Sequence, residues 1–231
     1  CKRKGDSHLQ RKVVTEVFGG RTLDISHRRA MAVFAAEYGN WNSVYKRFTR
    51  WTSLGIWRRM FHHFSRDIDT EWLMIDSTIV RAHAALQAQK GGKMASFGRS
   101  SGGFSSKIHV AVDALGNPID FLLSGGESAD NPHASRLLWN RKPDAVLADR
   151  GYDADNTLEY VKNIGAVAVI PPKKNRLNPQ ACDYTLYKER HHVEDYIGTL
   201  KYFRRIFSRY DKYASHFLAF IHYAATIKWL K

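Results

Sequence analysis

Two acidic residues stand where a buried strand is predicted to end. Asp76 follows the apolar run 72–75, and Asp149 follows the apolar run 145–148. In an open α/β sheet, functional sites form beyond the carboxyl ends of the strands, so the two carboxylates converge if these strands are neighbours. The alternative is that each acid marks only the point where a strand runs into water.

A third carboxylate, Glu194, lies on a helix that is predicted to begin at Tyr187. At about 100° per residue, Arg190 and Lys201 share the face of Glu194, and an apolar face adjoins this polar stripe. A carboxylate flanked by cations suits a site that binds metal ions and phosphate groups together. The alternative is an ion pair between Arg190 and Glu194, worth roughly a few tenths of a kcal/mol, which leaves the rest of the stripe unexplained.

Three carboxylates on separate elements form an oxygen-only site of the kind that Mg²⁺ prefers. Two such ions roughly 4 Å apart can activate an attacking hydroxyl and stabilise a leaving oxygen. Two pairs of adjacent histidines are tempting alternatives, His62-His63 and His191-His192. Adjacent side chains on a helix point about 100° apart, so neither pair is expected to chelate one ion. His109 is a weaker candidate for orienting a ligand of the site.

The elements that must position these acids follow from periodicity and turn signals. Buried strands are predicted at 72–75, 145–148 and 166–170, and 107–123 is predicted to be a hairpin around a Gly-Asn-Pro turn. Helices are predicted over 131–139, 154–163, 187–207 and 213–230, and the Gly/Ser-rich segment 87–106 is predicted to be a mobile loop. This order predicts a mixed α/β fold with parallel pairs in the sheet centre and the hairpin as an antiparallel edge.

Aromatic residues recur at helical spacing in the first part of the chain, at 41, 45, 48 and 51 and again at 57, 61 and 64. They predict two amphipathic helices with basic outer faces, and whether those faces touch DNA stays open. Residues 1–35 show no such pattern. We therefore expect a basic helical N-terminal region over 1–70, atypical in 1–35, and an α/β domain over 71–231.

The composition indicates a polyanionic partner. The 231 residues include 36 Lys and Arg against 22 Asp and Glu, a net charge of +14. Residues 1–75 carry 14 basic and 7 acidic side chains, whereas 76–186 carry 13 and 11. A basic globular chain of this kind most often binds nucleic acid, although a basic but otherwise ordinary enzyme is the alternative. Two cysteines exclude a disulfide framework, and no apolar stretch is long enough for a membrane span.

Five motifs occur in order along the chain: LMIDST at 73–78, Gly-Arg-Ser-x-Gly-Gly at 98–103 leading into 107–109, VDALGNP at 112–118, ADRGYD at 148–153, and Tyr187-x2-Arg190-x3-Glu194-x6-Lys201. Together they resemble the DDE transposases of bacterial insertion sequences, in the IS-five-like group, over about residues 37–231. The resemblance implies an RNase H-like α/β core, a mixed sheet flanked by helices, behind a small helical and basic N-terminal region.

The resemblance also implies the site. Asp76, Asp149 and Glu194 would be the catalytic triad that binds two Mg²⁺ ions, with Mn²⁺ as a substitute. By position in the signature, Tyr187, Arg190 and Lys201 would contact the DNA backbone or order the site. Arg99, Lys107 and Arg205 are further candidates for the same roles.

The implied reaction is cleavage of DNA at terminal inverted repeats by water, followed by attack of the freed 3′-hydroxyl on target DNA. The implied setting is a homo-multimer on double-stranded DNA, cytoplasmic and nucleoid-associated, without a membrane. Residues 1–35 depart from the family's N-terminal region, so we expect a truncation or a shifted frame there. Two alternatives follow: a remnant that only binds DNA or inhibits intact copies, and an RNase H-like nuclease without strand transfer.

Overall fold

The structure is a computed structural model that describes residues 40–83, 98–100 and 103–230. Within these residues the strands are β1 (Trp72–Ala82), β2 (Gly98–Ser100), β3 (Gly103–Val112), β4 (Pro118–Gly125), β5 (Ala145–Ala148), β6 (Val167–Val169) and β7 (Ser208–Arg209). The helices are α1 (Trp41–Ser53), α2 (Ile56–Phe64), α3 (Asn131–Leu137), α4 (Asp155–Asn163), α5 (Tyr184–Tyr187), α6 (His191–Lys201), α7 (Arg204–Phe207) and α8 (Ala214–Trp229). Two 3₁₀ turns span Arg150–Tyr152 and Lys188–Arg190.

The strands form one sheet with the main order β4-β3-β1-β5-β6. The pairs β1–β5 and β5–β6 are parallel, whereas β3 runs antiparallel to both β1 and β4. The short β2 pairs with the start of β3, and β7 pairs with the end of β1. This arrangement confirms the predicted mixed α/β sheet with a parallel centre and a hairpin at its edge.

The sheet has buried side chains on both faces. Successive residues of a strand point to opposite faces, so β1 and β5 each contribute to two core clusters. Met74 and Leu147 belong to a core cluster shared with α1, α2, α6 and α8. Their neighbours in sequence belong to a second cluster, shared with α3 and α4. Asp76 and Asp149 each come two residues after a member of the first cluster, so the alternation places them toward the face that α6 covers.

Strand β1 is longer than the sequence predicts. Asp76 lies within it, opposite Val110 of β3, so the prediction that Asp76 ends its strand was wrong. Asp149 does follow directly after β5. β1 continues to Ala82 because β3 supplies antiparallel partners for every residue over 77–81. The polar residues after Asp76 conceal this continuation in the sequence.

The segment predicted as a mobile loop over 87–106 contains strand. β2 occupies 98–100, and the first residues of β3 occupy 103–106. The two pair antiparallel, with Gly98 opposite Ser105, so backbone hydrogen bonds explain why a Gly/Ser-rich sequence is extended here. The rest of the predicted loop lies outside the described residues.

The turn between β3 and β4 explains the VDALGNP motif. The buried Asp113 carboxylate accepts hydrogen bonds from the backbone N–H groups of Leu115 at 3.0 Å and Asn117 at 2.7 Å. Gly116 has φ +76°, a conformation that glycine adopts without strain. A Cβ there would also lie 3.3 Å from Cβ of His192, next to α6. The motif therefore holds the hairpin turn against the helix that carries Glu194.

The single helix predicted over 187–207 is divided in the structure. The 3₁₀ turn Lys188–Arg190 precedes α6, and Phe203 takes an extended conformation with ψ 105° before the short α7. Ser208, the residue after the predicted helix, begins β7 and pairs with Arg81. The helix ends early because the following residues return to the sheet, a tertiary contact that periodicity does not report.

Helices α1 and α2 confirm the two aromatic-striped helices. Phe48, Trp57 and Phe61 are buried in the same cluster as residues of the sheet, and α2 packs on α8. Residues 1–39 lie outside the described residues, so the division into a region 1–70 and a domain 71–231 stays a prediction. None of the helices in the described part of the chain combines the length and apolar character needed to cross a lipid bilayer.

Candidate active site

Asp76 and Asp149 are positioned by the parallel pairing of β1 with β5. Ile75 is in register with Ala148, so the next residue on each chain segment is an acid. Neighbouring strands lie about 4.8 Å apart, and residues in register point to the same face. The strands are therefore neighbours, as convergence of the two carboxylates requires.

Helix α6 brings Glu194 to this point, and Arg190 links it to the sheet. Nη1 of Arg190 donates to Oε1 of Glu194 at 2.6 Å, and Nη2 donates to Oδ2 of Asp76 at 3.5 Å. The apolar face of α6, with Val193 and Ile197, is buried in the core. The ion pair weighed as an alternative therefore exists, but it is one half of a bridge between the helix and β1.

The environment of Asp76 concentrates negative charge. Its side chain is only 14% exposed, and its Oδ1 accepts from the N–H of Ser77 at 2.8 Å. Burial raises the pKa of Asp76 to about 6, Arg190 and the Ser77 N–H oppose the shift, and Asp149 and Glu194 add to it. Because Asp149 and Glu194 both act on Asp76, a cation bound beside Asp76 would relieve this repulsion.

The turn after β5 fixes the Asp149 carboxylate. Its Oδ1 accepts from the N–H of Gly151 at 2.9 Å and so caps the 3₁₀ turn. A Cβ on Gly151 would lie 2.9 Å from that same oxygen, closer than real contacts allow, so only glycine leaves the carboxylate in place. Tyr152 is fully buried and anchors the turn in the core.

Asp153, the second acid of the ADRGYD motif, directly precedes Ala154, the N-cap residue of α4. The buried Asp153 accepts from the N–H of Lys173 at 2.7 Å and pairs with Arg176 at 2.9 Å. It therefore ties the loop after β6 to the site turn, and the sequence concealed this because the partners lie about 20 residues away.

Tyr187 lies beside the bridging arginine. Its ring centroid is 5.9 Å from Cζ of Arg190. Burial raises the pKa of Tyr187, Arg190 opposes this, and Asp149 and Glu194 reinforce it. Tyr187 and Arg190 therefore both lie within electrostatic reach of the acids, although α5 and a 3₁₀ turn, rather than one continuous helix, position them.

The other predicted cations fall into different settings. Lys201 is half-buried in the last turn of α6, and Arg99 lies in β2, paired with Phe104. Lys107 is turned inward, where its Nζ donates to the Ser128 carbonyl at 2.7 Å. DNA contact by Lys201 and Arg99 therefore stays a prediction. The hydrogen bond of Lys107 indicates that this side chain orders the protein rather than contacting a ligand.

Arg205 is a core residue. Its side chain forms two hydrogen bonds with the Asp211 carboxylate, from Nε and from Nη2, and its guanidinium lies over the rings of Phe48 and Phe220. Both charged side chains are less than a tenth exposed. The expected contact with DNA is therefore not supported, because the helix break before α7 turns Arg205 away from the stripe of Glu194.

Asp130 is a fourth carboxylate at this place, and sequence reasoning missed it. Its Oδ1 accepts from the hydroxyl of Ser77 at 2.6 Å and from Nζ of Lys107 at 3.1 Å. Burial lowers the pKa of the neighbouring His109 to about 3, and the charge of His133 adds to this shift. The His109 ring is therefore neutral, and its Nδ1 lies 3.7 Å from Oδ1 of Asp130. In the sequence Asp130 only precedes a predicted helix, where an N-cap role is the ordinary expectation.

The histidine pair at the start of α6 differs from the expectation. The rings of His191 and His192 have centroids 4.0 Å apart. Ligand atoms of Glu189 and both histidines lie within 4.8 Å of one another, an arrangement that in the described part of the chain is found only here. The prediction that adjacent histidines diverge was therefore wrong at this position. His191 is the first residue of α6 after a 3₁₀ turn, where ideal helical spacing does not hold.

The donors at the acidic site fit a hard divalent cation. Asp76, Asp149 and Glu194 offer carboxylate oxygens only, which suits Mg²⁺ or Mn²⁺ better than a softer metal. Two of them are fixed by backbone N–H groups on the sheet, and the third, 60% exposed, stands on the helix. The site is thus rigid on the sheet side and adjustable on the helix side.

Comparison with known proteins places this arrangement in a family. The family model of the transposase DDE domain matches residues 69–227, a span that includes all three acids and more than half of the chain. The chain belongs to the DDE transposase family. Whether it falls in the IS-five-like group stays a prediction.

Curated relatives agree with the family. A Brucella ovis protein with the name "Putative transposase for insertion sequence element IS6501" is 37% identical over 129 residues, which cover 55% of this chain and 99% of that protein. The uncharacterized protein y4sN of Sinorhizobium fredii is 40% identical over 79 residues, which cover 33% of this chain and 56% of that protein.

Two solved structures with a distant likeness to this chain are of the Mos1 transposase. The catalytic domain of the Mos1 mariner transposase is 10% identical, with a TM-score of 0.30, over 80% of this chain and 90% of that one. The Mos1 strand transfer complex is 14% identical, with a TM-score of 0.31, over 99% of this chain and 77% of that one.

Proposed function

We propose that this DDE transposase cuts double-stranded DNA at the ends of an insertion element and joins the freed ends to target DNA. The observation that carries the proposal is the register of β1 with β5, which sets Asp76 beside Asp149, together with the Arg190 bridge from Asp76 to Glu194. Asp76, Asp149 and Glu194 are the catalytic residues and would hold two Mg²⁺ ions, or Mn²⁺ in their place. Bound metal would supply Lewis-acid activation of water or a 3′-hydroxyl and charge stabilisation at the phosphate.

The protein's own groups have distinct roles in this reaction. The Gly151 and Ser77 N–H groups hold the two sheet carboxylates at fixed orientations. Arg190 aligns Glu194 with them through its two ion pairs, and Tyr187 packs beside it. Lys201 lies in the last turn of α6, the helix that carries Glu194, and would contact the DNA backbone.

The partners in the proposal are the terminal inverted repeats and target DNA. The net charge of +14 supports salt-dependent contact with the phosphate backbone. Joining two ends of one element requires both ends in one assembly, so a homo-multimer on DNA is part of the proposal. The alternative of a defective remnant is not favoured, because the family match spans the whole acidic site.

The direct test is Asp149→Asn in a cleavage assay on DNA that carries the element's own ends, with Mg²⁺. We expect cleavage to fall at least about a thousandfold, equivalent to roughly 4 kcal/mol in the barrier, because a metal-holding charge is lost. Asp155→Asn is the matched control, since Asp155 is 94% exposed on α4 and should leave cleavage unchanged.

Three outcomes separate the alternatives. Retained cleavage by a folded Asp149→Asn protein contradicts the assigned triad. Cuts without joined products identify a nuclease that lacks strand transfer. Binding to DNA without any cut by the unmodified chain, at all Mg²⁺ and Mn²⁺ concentrations, identifies the remnant.

A further inference from the structure

The carboxylate of Asp130 does not serve the helix that it precedes. Asp130 is the N-cap residue of α3, where an aspartate ordinarily accepts from a backbone N–H of the first turn. Its side chain makes no such bond. It is turned toward β1 and β3 instead, and its side chain is 21% exposed.

One oxygen of Asp130 acts on the strand that carries Asp76. The Ser77 hydroxyl donates to Oδ1 of Asp130 at 2.6 Å, and the Ser77 N–H donates to Oδ1 of Asp76 at 2.8 Å. Ser77 is therefore held by both carboxylates, one through its side chain and one through its backbone. A change at Asp130 would reach Asp76 through a single residue.

The other oxygen of Asp130 faces the turn that carries Asp149. A Cβ built on Gly151 would lie 3.4 Å from Oδ2 of Asp130 and 2.9 Å from Oδ1 of Asp149. Both carboxylates thus border the same small space beside Gly151. Asp130 spans the gap between the β1 strand and the turn after β5.

Lys107 compensates the charge of this extra carboxylate. Its Nζ donates to Oδ1 of Asp130 at 3.1 Å and to the Ser128 carbonyl at 2.7 Å, and its side chain is 11% exposed. Because the Lys107 ammonium is buried and hydrogen-bonded inside the protein, it is not available to contact the DNA backbone. The same ammonium offsets the negative charge that Asp130 adds beside two other acids.

We propose that Asp130 is a positioning residue, held by Lys107, that sets the spacing of Asp76 and Asp149 through Ser77 and the Gly151 turn. The inference rests on the proposed function of those two acids as metal ligands. Groups that orient metal ligands typically change metal affinity by about 10- to 100-fold when they are removed.

The probe is Mn²⁺ alone, titrated into the full chain and followed by the electron paramagnetic resonance of free Mn²⁺. The measurements use a His191→Ala, His192→Ala background, which removes the other cluster of possible ligands. We expect Asp130→Ala to weaken Mn²⁺ binding about tenfold or more. Asp120→Asn is the matched control, because this aspartate of β4 is similarly exposed, at 24%, and pairs only with Arg141 among the described ion pairs.

A double-mutant cycle separates positioning from general loss of structure. If Asp130 acts through Ser77, Ser77→Ala weakens Mn²⁺ binding in the same direction, and adding Ser77→Ala to Asp130→Ala weakens it by less than the product of the two effects. A merely structural role predicts independent effects that multiply. It also predicts a urea midpoint for Asp130→Ala well below that of Asp120→Asn, without a specific change in Mn²⁺ affinity.

The outcomes distinguish this inference from the proposed function. Asp149→Asn in the same background must lose Mn²⁺ binding; if it does not, the metal site itself is wrongly assigned. If Asp149→Asn loses binding while Asp130→Ala keeps the affinity of the control, the role of Asp130 is refuted alone. If Asp130→Ala fails to fold, Asp130→Asn and Ser77→Ala decide, and unchanged affinity in both refutes the inference.

Discussion

Replacing Asp76 by asparagine is expected to stabilise the metal-free protein at neutral pH. Burial raises the pKa of the Asp76 carboxyl from 3.8 to about 6. The folded protein therefore holds this proton more tightly than the unfolded chain does. The contribution of the Asp76 carboxyl to folding stability is fully present below its unfolded pKa. This contribution is lost as the pH rises through the folded pKa, in a window from about pH 4 to pH 6.

The magnitude follows from the two pKa values. Their difference corresponds to about 3 kcal/mol of folding free energy that is lost above the window. The side chain is only 14% exposed, so solvent screens little of this cost. Asparagine cannot ionise, and its side-chain oxygen can still accept from the Ser77 N–H. Asp76→Asn should therefore gain up to about 3 kcal/mol at pH 7.5 and almost nothing at pH 4.

The assay is urea unfolding with EDTA present, for wild type and variant at pH 4, 5, 6 and 7.5. Taking the difference between the two proteins cancels the titration of all groups that do not interact with Asp76. Glu194→Gln is the matched control, since the Glu194 side chain is 60% exposed and its removal should bring no pH-dependent gain of this size. A variant that is less stable than wild type at pH 7.5, or equally changed at pH 4 and 7.5, would refute the reasoning.

Two further predictions concern the core and the site turn. Arg205→Met should lower the free energy of unfolding in urea by about 3–5 kcal/mol, because it leaves the buried Asp211 charge unpaired. Adding Asp211→Leu should recover most of that loss, and equal instability of the single and double variants would contradict this. Gly151→Ala should slow DNA cleavage at least about tenfold, because its Cβ would lie 2.9 Å from Oδ1 of Asp149 and displace that carboxylate. Gly198→Ala, which has open space around its Cβ, should leave the cleavage rate unchanged. Equal cleavage rates in the two variants would show that the turn tolerates a side chain.

Much of the fold was predictable because its signals are local. The run 145–148 followed by Asp149 indicated a strand and its acid, and the structure has both at those residues. The hairpin at 107–123 and the aromatic-striped helices were likewise predicted, since alternation and helical periodicity each report on neighbouring residues. The errors lie where distant pairing extends or ends an element, as at β1 and at the break before α7.

For the site, the sequence by itself predicted three acids, Asp76, Asp149 and Glu194, because each lies in a recognisable local pattern, but it did not indicate Asp130. Only the tertiary structure decided how they are held. The hydrogen bond from Ser77 to Asp130 joins residues 53 positions apart, and that from Arg190 to Asp76 spans 114. No local pattern reports such contacts, since they exist only once the strands have paired and the helices have packed on the sheet.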